Sequence, residues 1–395
     1  MTIKKLKSLD IFFLFMSLEG LLFRTSLGAL SLSLIGSFIF LLSIIVSSKR
    51  IIINSIYLNS LLFLGLFFTF TSFFIGDSII GNLLRIWISV LLAYSLPYLE
   101  ISSQAWADSI KKIILFHSLF LIFDFLFETP WGWDPDGYFF IGFNRPDFYR
   151  AQGLFGEPSY YGLTVNCLLL ILTIIRKCSS YDCLLVLSTN LLSTSLSGFL
   201  CSLVIVITNY SFVFTKILKN IMLKGKFNKK IILIIPLLIF LLIPLSLIEK
   251  GWMIRRLVNP LEDSSMLGRT IGIFPLAKYV YQNSPLIGLG LGSNILNNID
   301  LGNFQFLIGD KTREITITSA NALIGIFFMG GFVGLILYLI YIFSGLQIKY
   351  FPAYFFLLAS SGKSFFVLLF IIPAFNKYFL NKKLPIINKL ETIKE

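Results

Sequence analysis

The sequence predicts an all-α polytopic integral membrane protein with about twelve transmembrane helices. Its apolar runs repeatedly reach the ~20 residues that cross a ~30 Å hydrocarbon core. Only 13% of the 395 residues are charged and 56% are hydrophobic, with a mean hydropathy of +0.85, whereas a soluble domain carries about 25% charged residues. The runs are also continuous and not alternating, which argues against a transmembrane β-barrel.

In chain order the expected spans are 9–23, 27–46, 51–75, 81–99, 110–127, 159–176, 183–194, 198–214, 231–248, 320–344, 350–361 and 364–380. Lys4, Lys5 and Lys7 precede the first, as in a signal peptide. No small-residue cleavage site follows and the next apolar run starts at Leu27, so an uncleaved first helix is expected. The net charge of +13 then reads as an orientation signal. Lys49/Arg50, Lys111/Lys112, Arg176/Lys177, the six lysines within 216–230, Lys349 and the tail lysines Lys377, Lys382, Lys383 and Lys389 all belong in cytoplasmic segments. That leaves no role for nucleic-acid binding.

Placing every basic cluster inside requires an even number of crossings between Arg176 and Lys216, and again between Lys349 and Lys382. Residues 183–214 and 350–380 are therefore each expected to form a hairpin of two short spans, with outward turns at 193–198 and 360–363. Short spans are tolerated where neighbouring helices, and not lipid, surround them. The resulting plan has helices one to five in 1–127 and a first external loop at 128–158. Helices six to nine follow in 159–248, with a lysine-rich cytoplasmic loop at 216–230. A second external loop at 249–319, helices ten to twelve in 320–380 and a cytoplasmic tail at 381–395 complete it. The second loop holds seven basic and six acidic residues, the mixture of a folded surface. Cys167, Cys178, Cys183 and Cys201 lie in or beside apolar runs without metal-ligand spacing, so no disulfide framework and no metal site is expected.

The most polar shaped run is Arg150-Ala-Gln-Gly-Leu-Phe-Gly-Glu157-Pro-Ser159. Pro158 suits the first turn of a helix, and helix N-termini attract anions through free N–H groups and the dipole. An arginine beside that end adds bidentate phosphate recognition. Arg145 and Arg150 therefore read either as lipid-headgroup contacts or as pyrophosphate ligands. Glu157 reads as a base, an orienting carboxylate or a helix cap. Upstream, Trp131 and Trp133 form either an interfacial belt or a platform for stacking sugar rings. In the second loop, Arg255, Arg256, Arg269 and Arg313 are further phosphate or sugar candidates, and 283–292 holds a glycine-rich turn with no dinucleotide-binding context. Within the spans, charges are functional candidates by default. Arg24, Arg85, Asp124 and Glu128 fall near outer ends, where snorkelling accounts for them. His117, the only histidine, is expected to have a buried packing or hydrogen-bonding role, remote from the external loops.

The run from Arg150 to Ser159 resembles the R-x-x-G-x-F-x-E-P-S stretch of bacterial O-antigen polymerases. Gly268-Arg269, Ala277, Asn283, Pro285, Gly288, Gly290 and Gly292 are similar to a pattern shared by the O-antigen polymerase and ligase superfamily, as are Asn321 and Gly330-Gly331-Phe-Val-Gly334. Two departures stand out. The short outer turn has Ser195-Leu-Ser197-Gly198 in place of a Ser-Arg pair, and Ser319-Ala320-Asn321 lacks the histidine typical of ligases. The second departure favours a polymerase. The resemblance implies a GT-C-like, cofactor-free glycosyltransferase of the bacterial inner membrane with a periplasmic active site. It implies undecaprenyl-pyrophosphate-linked oligosaccharides as substrates, with a chain-length regulator and a flippase as partners. Arg150, Arg269 and Glu157 would be the catalytic set, and Arg85, Arg145, Arg255, Arg256, Arg313, Trp131 and Trp133 would bind substrate. An O-antigen ligase and a lipid-linked oligosaccharide flippase are the alternatives.

Overall fold

The computed structural model describes residues 3–18, 22–25, 28–47, 56–75, 80–99, 101–127, 131–133, 139–141, 151–155, 158–193, 195–224, 273–290, 304–308, 311–315, 321–361 and 367–391, the strands as backbone alone. Among the described residues there are twelve α-helices. They are α1 (Ile3–Ser17), α2 (Leu32–Ser47), α3 (Ile56–Ile75), α4 (Ile80–Ser95), α5 (Ser103–Phe127), α6 (Pro158–Ile174), α7 (Ser180–Leu192), α8 (Leu196–Lys224), α9 (Ile273–Asn283), α10 (Ala322–Gly345), α11 (Phe351–Ser360) and α12 (Val367–Glu391). Three small antiparallel hairpins pair β1 (Leu22–Thr25) with β2 (Gly28–Ser31), β3 (Trp131–Trp133) with β4 (Phe139–Ile141), and β5 (Phe304–Ile308) with β6 (Lys311–Ile315).

The chain is thus predominantly helical. Among the described residues, two helices are long and apolar enough to cross a membrane, at 56–73 and over Ala322–Gly345. Shorter apolar helices lie at 83–95, 158–174, 196–210 and 367–380. The expected span at 231–248 lies outside the described residues. The first helix ends earlier than expected, at Ser17, and the second starts later, at Leu32, because the paired strands β1 and β2 lie between them. Conversely, α8 continues beyond its expected end through Lys216, Lys219 and Lys224.

Helix α6 is the centre of the bundle. It is apolar on all sides, the pattern of a fully enclosed helix, and residues 161–174 are all buried. Helices α5, α7, α8, α11 and α12 surround it. At Gly162 and Gly198, α6 and α8 approach so closely that a Cβ on Gly162 would lie 2.9 Å from the Gly198 Cα. Small residues at such a crossing bring two backbones into contact.

One end of the bundle gathers basic residues. Lys111 pairs with Asp182 at 3.0 Å and Lys112 with Asp10 at 2.8 Å, and the Arg176 guanidinium lies 5.5 Å from the Phe379 ring centroid. Helix α7 starts here with a capping box. The Asp182 carboxylate accepts from Ser179 N at 2.7 Å, while Ser179 Oγ accepts from Asp182 N at 3.2 Å. Cys178 and Cys183, the residues before the cap and at the fourth helical position, touch at 3.4 Å, as the hydrophobic staple of such a box requires. The hydrogen bond with Cys183, followed by burial, pushes the Cys178 thiol pKa up, favouring the neutral thiol.

Trp106 locks this end from inside. It is fully buried, with its ring 5.7 Å from Phe13 of α1, 6.4 Å from Phe40 of α2, and 5.1 and 6.3 Å from Phe375 and Tyr378 of α12. Trp106→Ala is expected to destabilise the protein by about 3–5 kcal/mol, the usual cost of emptying a large aromatic site. A thermal midpoint in detergent equal to that of the parent would contradict this packing role.

Candidate functional site

The described part of the polar run, 151–155, lies against the far end of α5. Ala151, Gln152 and Phe155 are buried. Phe155 N donates to Gln152 O at 3.1 Å, closing a tight turn, and Gly153 sits at φ +59° against the backbone of Leu121. The key contact is Asp124, itself 0% exposed. Its Oδ2 accepts from Gln152 N at 2.7 Å and from Gly153 N at 2.8 Å. Two successive backbone N–H groups converging on one point form a small anion nest, and here the anion is the protein's own carboxylate.

Side chains three and four residues apart share one face of a helix, and α5 uses such a face throughout. His117 lies 5.1 Å from the Phe155 ring, Ser118 Oγ is 3.5 Å from Tyr161 Oη on α6, Leu121 backs Gly153, and Asp124 holds the turn. Phe155 is in turn 6.0 Å from Tyr161. His117 Nε2 lies 2.6 Å from Ser17 Oγ, whose hydroxyl donates to Leu14 O. A hydroxyl has one proton, so His117 Nε2–H is the donor, and Nδ1 has no hydrogen-bond partner among the described residues.

Two expectations are corrected here. His117 is buried and hydrogen-bonded as expected, but it is not remote from the segment 128–158, because Phe155 of the turn at 151–155 packs against it. Asp124 does not snorkel to an interface; it is enclosed and bonded to backbone. The sequence signal for Asp124 was present as a carboxylate inside an apolar span, but nothing in the sequence pointed to its partners, which follow it by 28 and 29 residues.

The second motif is assembled by a break in α10. Gly331 has φ 58° and ψ −156°, which interrupts the helix. The break would strand the bonds from Phe332 N to Phe328 O and from Val333 N to Met329 O, since an α-helix pairs each N–H with the carbonyl four residues back. Residues 285–290 replace both. Leu289 N donates to Phe328 O at 2.8 Å and Gly290 N to Met329 O at 3.0 Å, while Phe332 N donates to Pro285 O at 2.8 Å and Val333 N to Leu286 O at 3.1 Å. The glycine-rich turn after α9 is therefore seated in the helix and not merely laid against it. Leu276 and Val280 of α9 bury themselves against Phe327 and Phe328 of α10 and fix the approach. Asn321, one of the motif residues, caps α10 by accepting from Ile324 N at 3.0 Å.

The short turn between α7 and α8 is a polar junction. Ser195 Oγ accepts from Gly198 N at 3.2 Å and caps α8. Asn166 Nδ2 donates to Gly198 O at 2.7 Å, and Asn190 Nδ2 to Ser202 Oγ at 3.3 Å. These serines and asparagines hold α6, α7 and α8 together.

Of the expected site residues, Arg85 is half-buried on α4, which packs against α2, α3 and α12. Trp131, Trp133 and Arg313 lie on β3 and β6, where Trp131 faces Ile141, Trp133 faces Phe139 and Arg313 faces Phe306 in register. Arg145, Arg150, Glu157, Arg255, Arg256 and Arg269 lie outside the described residues. Among the described residues there is no cluster of three or more histidine, cysteine, aspartate or glutamate side chains able to hold a metal ion. No protein-family model matches the chain, and no curated protein matches its sequence.

Proposed function

We propose that this chain is a bacterial inner-membrane glycosyltransferase of the O-antigen polymerase type. It would join undecaprenyl-pyrophosphate-linked repeat units on the periplasmic face, moving the growing glycan to the non-reducing end of a new unit and releasing undecaprenyl pyrophosphate. The observation that carries the reading is the anchoring of 151–155. The run with Arg150 and Glu157 at its two ends is tied by backbone to α5 and leads directly into the central helix. Pyrophosphate is already a good leaving group, so such an enzyme must chiefly bind charge, align a hydroxyl and accept one proton. Arginines and one carboxylate supply those functions without a cofactor.

The full plan of about twelve spans in a GT-C-like arrangement, with cytoplasmic termini and two periplasmic loops, belongs to the same proposal. Two features support it. The basic residues at 111, 112 and 176 gather at one end of the bundle, and the anchored run lies at the opposite end of α5. In addition, α3 and α10 leave apolar stripes uncovered, including Phe63, Leu66, Phe70 and Phe73 on α3 and Phe332, Ile336, Ile340 and Phe343 on α10. Hydrocarbon accepts such faces and water does not. The expected partners are lipid-linked oligosaccharides, a chain-length regulator and a flippase.

The break in α10 gives the flippase alternative one point of support, since transporters use broken helices at substrate sites. There the broken ends face substrate; here backbone of 285–290 occupies them. A gene deletion scored by lipopolysaccharide gel separates the readings. Loss of a polymerase is expected to leave core bearing a single repeat unit. Bare core would point to a ligase or flippase, and full-length ladders would rule out the polymerase reading.

A further inference from the structure

We propose that Asp124 is a positioning residue, whose carboxylate fixes the segment between Arg150 and Glu157 for the transfer reaction. The inference deepens the polymerase reading and rests on it for the activity it positions. The geometry stands independently. A fully buried carboxyl oxygen receives two N–H groups from adjacent residues at 2.7 and 2.8 Å, distances typical of charge-assisted bonds. Those bonds fix both peptide planes of the turn, and Gly153 at φ +59° lets the chain reverse there.

The filled nest also decides what the turn does not do. The Gln152 and Gly153 N–H groups point inward to Asp124, so they are unavailable to a phosphate. An anion near this segment must be met by side chains or by the start of α6. Asp124 thereby separates two roles: backbone holds the segment, and the flanking charged side chains remain for substrate. Phe155 adds a second anchor by inserting between His117 and Tyr161. Phe155 supplies only packing, whereas Asp124 sets which way the turn's peptides face.

The test reads the segment directly. Ala151 is 1% exposed, so Ala151→Cys, in a protein with its four native cysteines replaced by alanine, is expected to resist a water-soluble maleimide in intact membranes. Asp124→Ala is expected to raise the labelling rate at least about tenfold, because two bonds to a buried charged acceptor are lost. Asp124→Asn keeps an oxygen acceptor but not its charge and is expected to raise the labelling rate about threefold, with a parental rate counting against the anchor. Repeat-unit ladders should disappear with alanine and return, shortened, with asparagine. If the alanine variant fails to accumulate, the asparagine variant's smaller acceleration and shortened ladder carry the same test.

Unchanged labelling in Asp124→Ala overturns the anchor whatever the protein's activity. Faster labelling with normal ladders overturns the positioning role. If the unaltered protein restores no ladder to a deletion strain, the polymerase reading fails, while the labelling rates still decide whether Asp124 holds the turn.

Discussion

Gly331→Ala is expected to unseat the 285–290 turn from α10 and to cost about 3 kcal/mol or more, combining backbone strain with overpacking. A Cβ on Gly331 would lie 2.5 Å from both C and O of Leu286 and 2.6 Å from Pro285 O. These are main-chain atoms already bound by Phe332 N and Val333 N, so they cannot retreat without losing the bonds that replace the broken helix. The φ and ψ of Gly331 also fall in a region open essentially to glycine alone. Gly288→Ala should behave alike, since its Cβ would meet Gly330 N and Gly331 N at 2.5 Å. Gly334→Ala is the control. The atoms nearest its Cβ would be those of the Phe67 and Phe68 rings, at 3.2 and 3.3 Å, which are side chains and not main chain. Thermal midpoints in detergent decide the matter, and a Gly331→Ala midpoint no lower than that of Gly334→Ala would refute the interlock.

Arg150→Ala and Arg269→Ala are each expected to lower polymerisation about 10²–10³-fold, the usual effect of removing one preorganised donor to developing negative charge. On a gel this means loss of the ladder with the protein still present in the membrane. Lysine at either position should restore only part of the rate, because an ammonium keeps the charge without the bidentate fork that matches two phosphate oxygens. Arg85, Arg145, Arg255, Arg256 and Arg313 are expected to give smaller effects. Normal ladders in both alanine variants, at parental protein levels, would remove these arginines from the site and with them the main chemical support for the proposal.

These experiments bear on different distances along the chain, and the sequence prepared for them unequally. The helical class was legible because burial all round an α-helix writes continuous apolar runs. The break between α7 and α8 was legible because a single long span there would separate the basic clusters that flank it. The run at 150–159 and the two glycine motifs also stood out, since polar and glycine-rich stretches are rare in an apolar chain.

What the sequence did not contain was pairing. It held Gly288 and Gly331 as separate motifs 43 positions apart, and only the folded chain shows that the turn bearing one fills the helix break made by the other. It held Asp124 as one of several charges near the end of a span, and His117 as a packing or hydrogen-bonding residue away from the loops. Tertiary structure decided both, by folding 151–155 back onto the α5 face that carries them. The physical reason is the same in each case. Local composition fixes which backbone conformations are cheap, but a stranded N–H or a buried carboxylate can be satisfied by any partner that arrives in space, and its distance along the chain leaves no periodic trace to read.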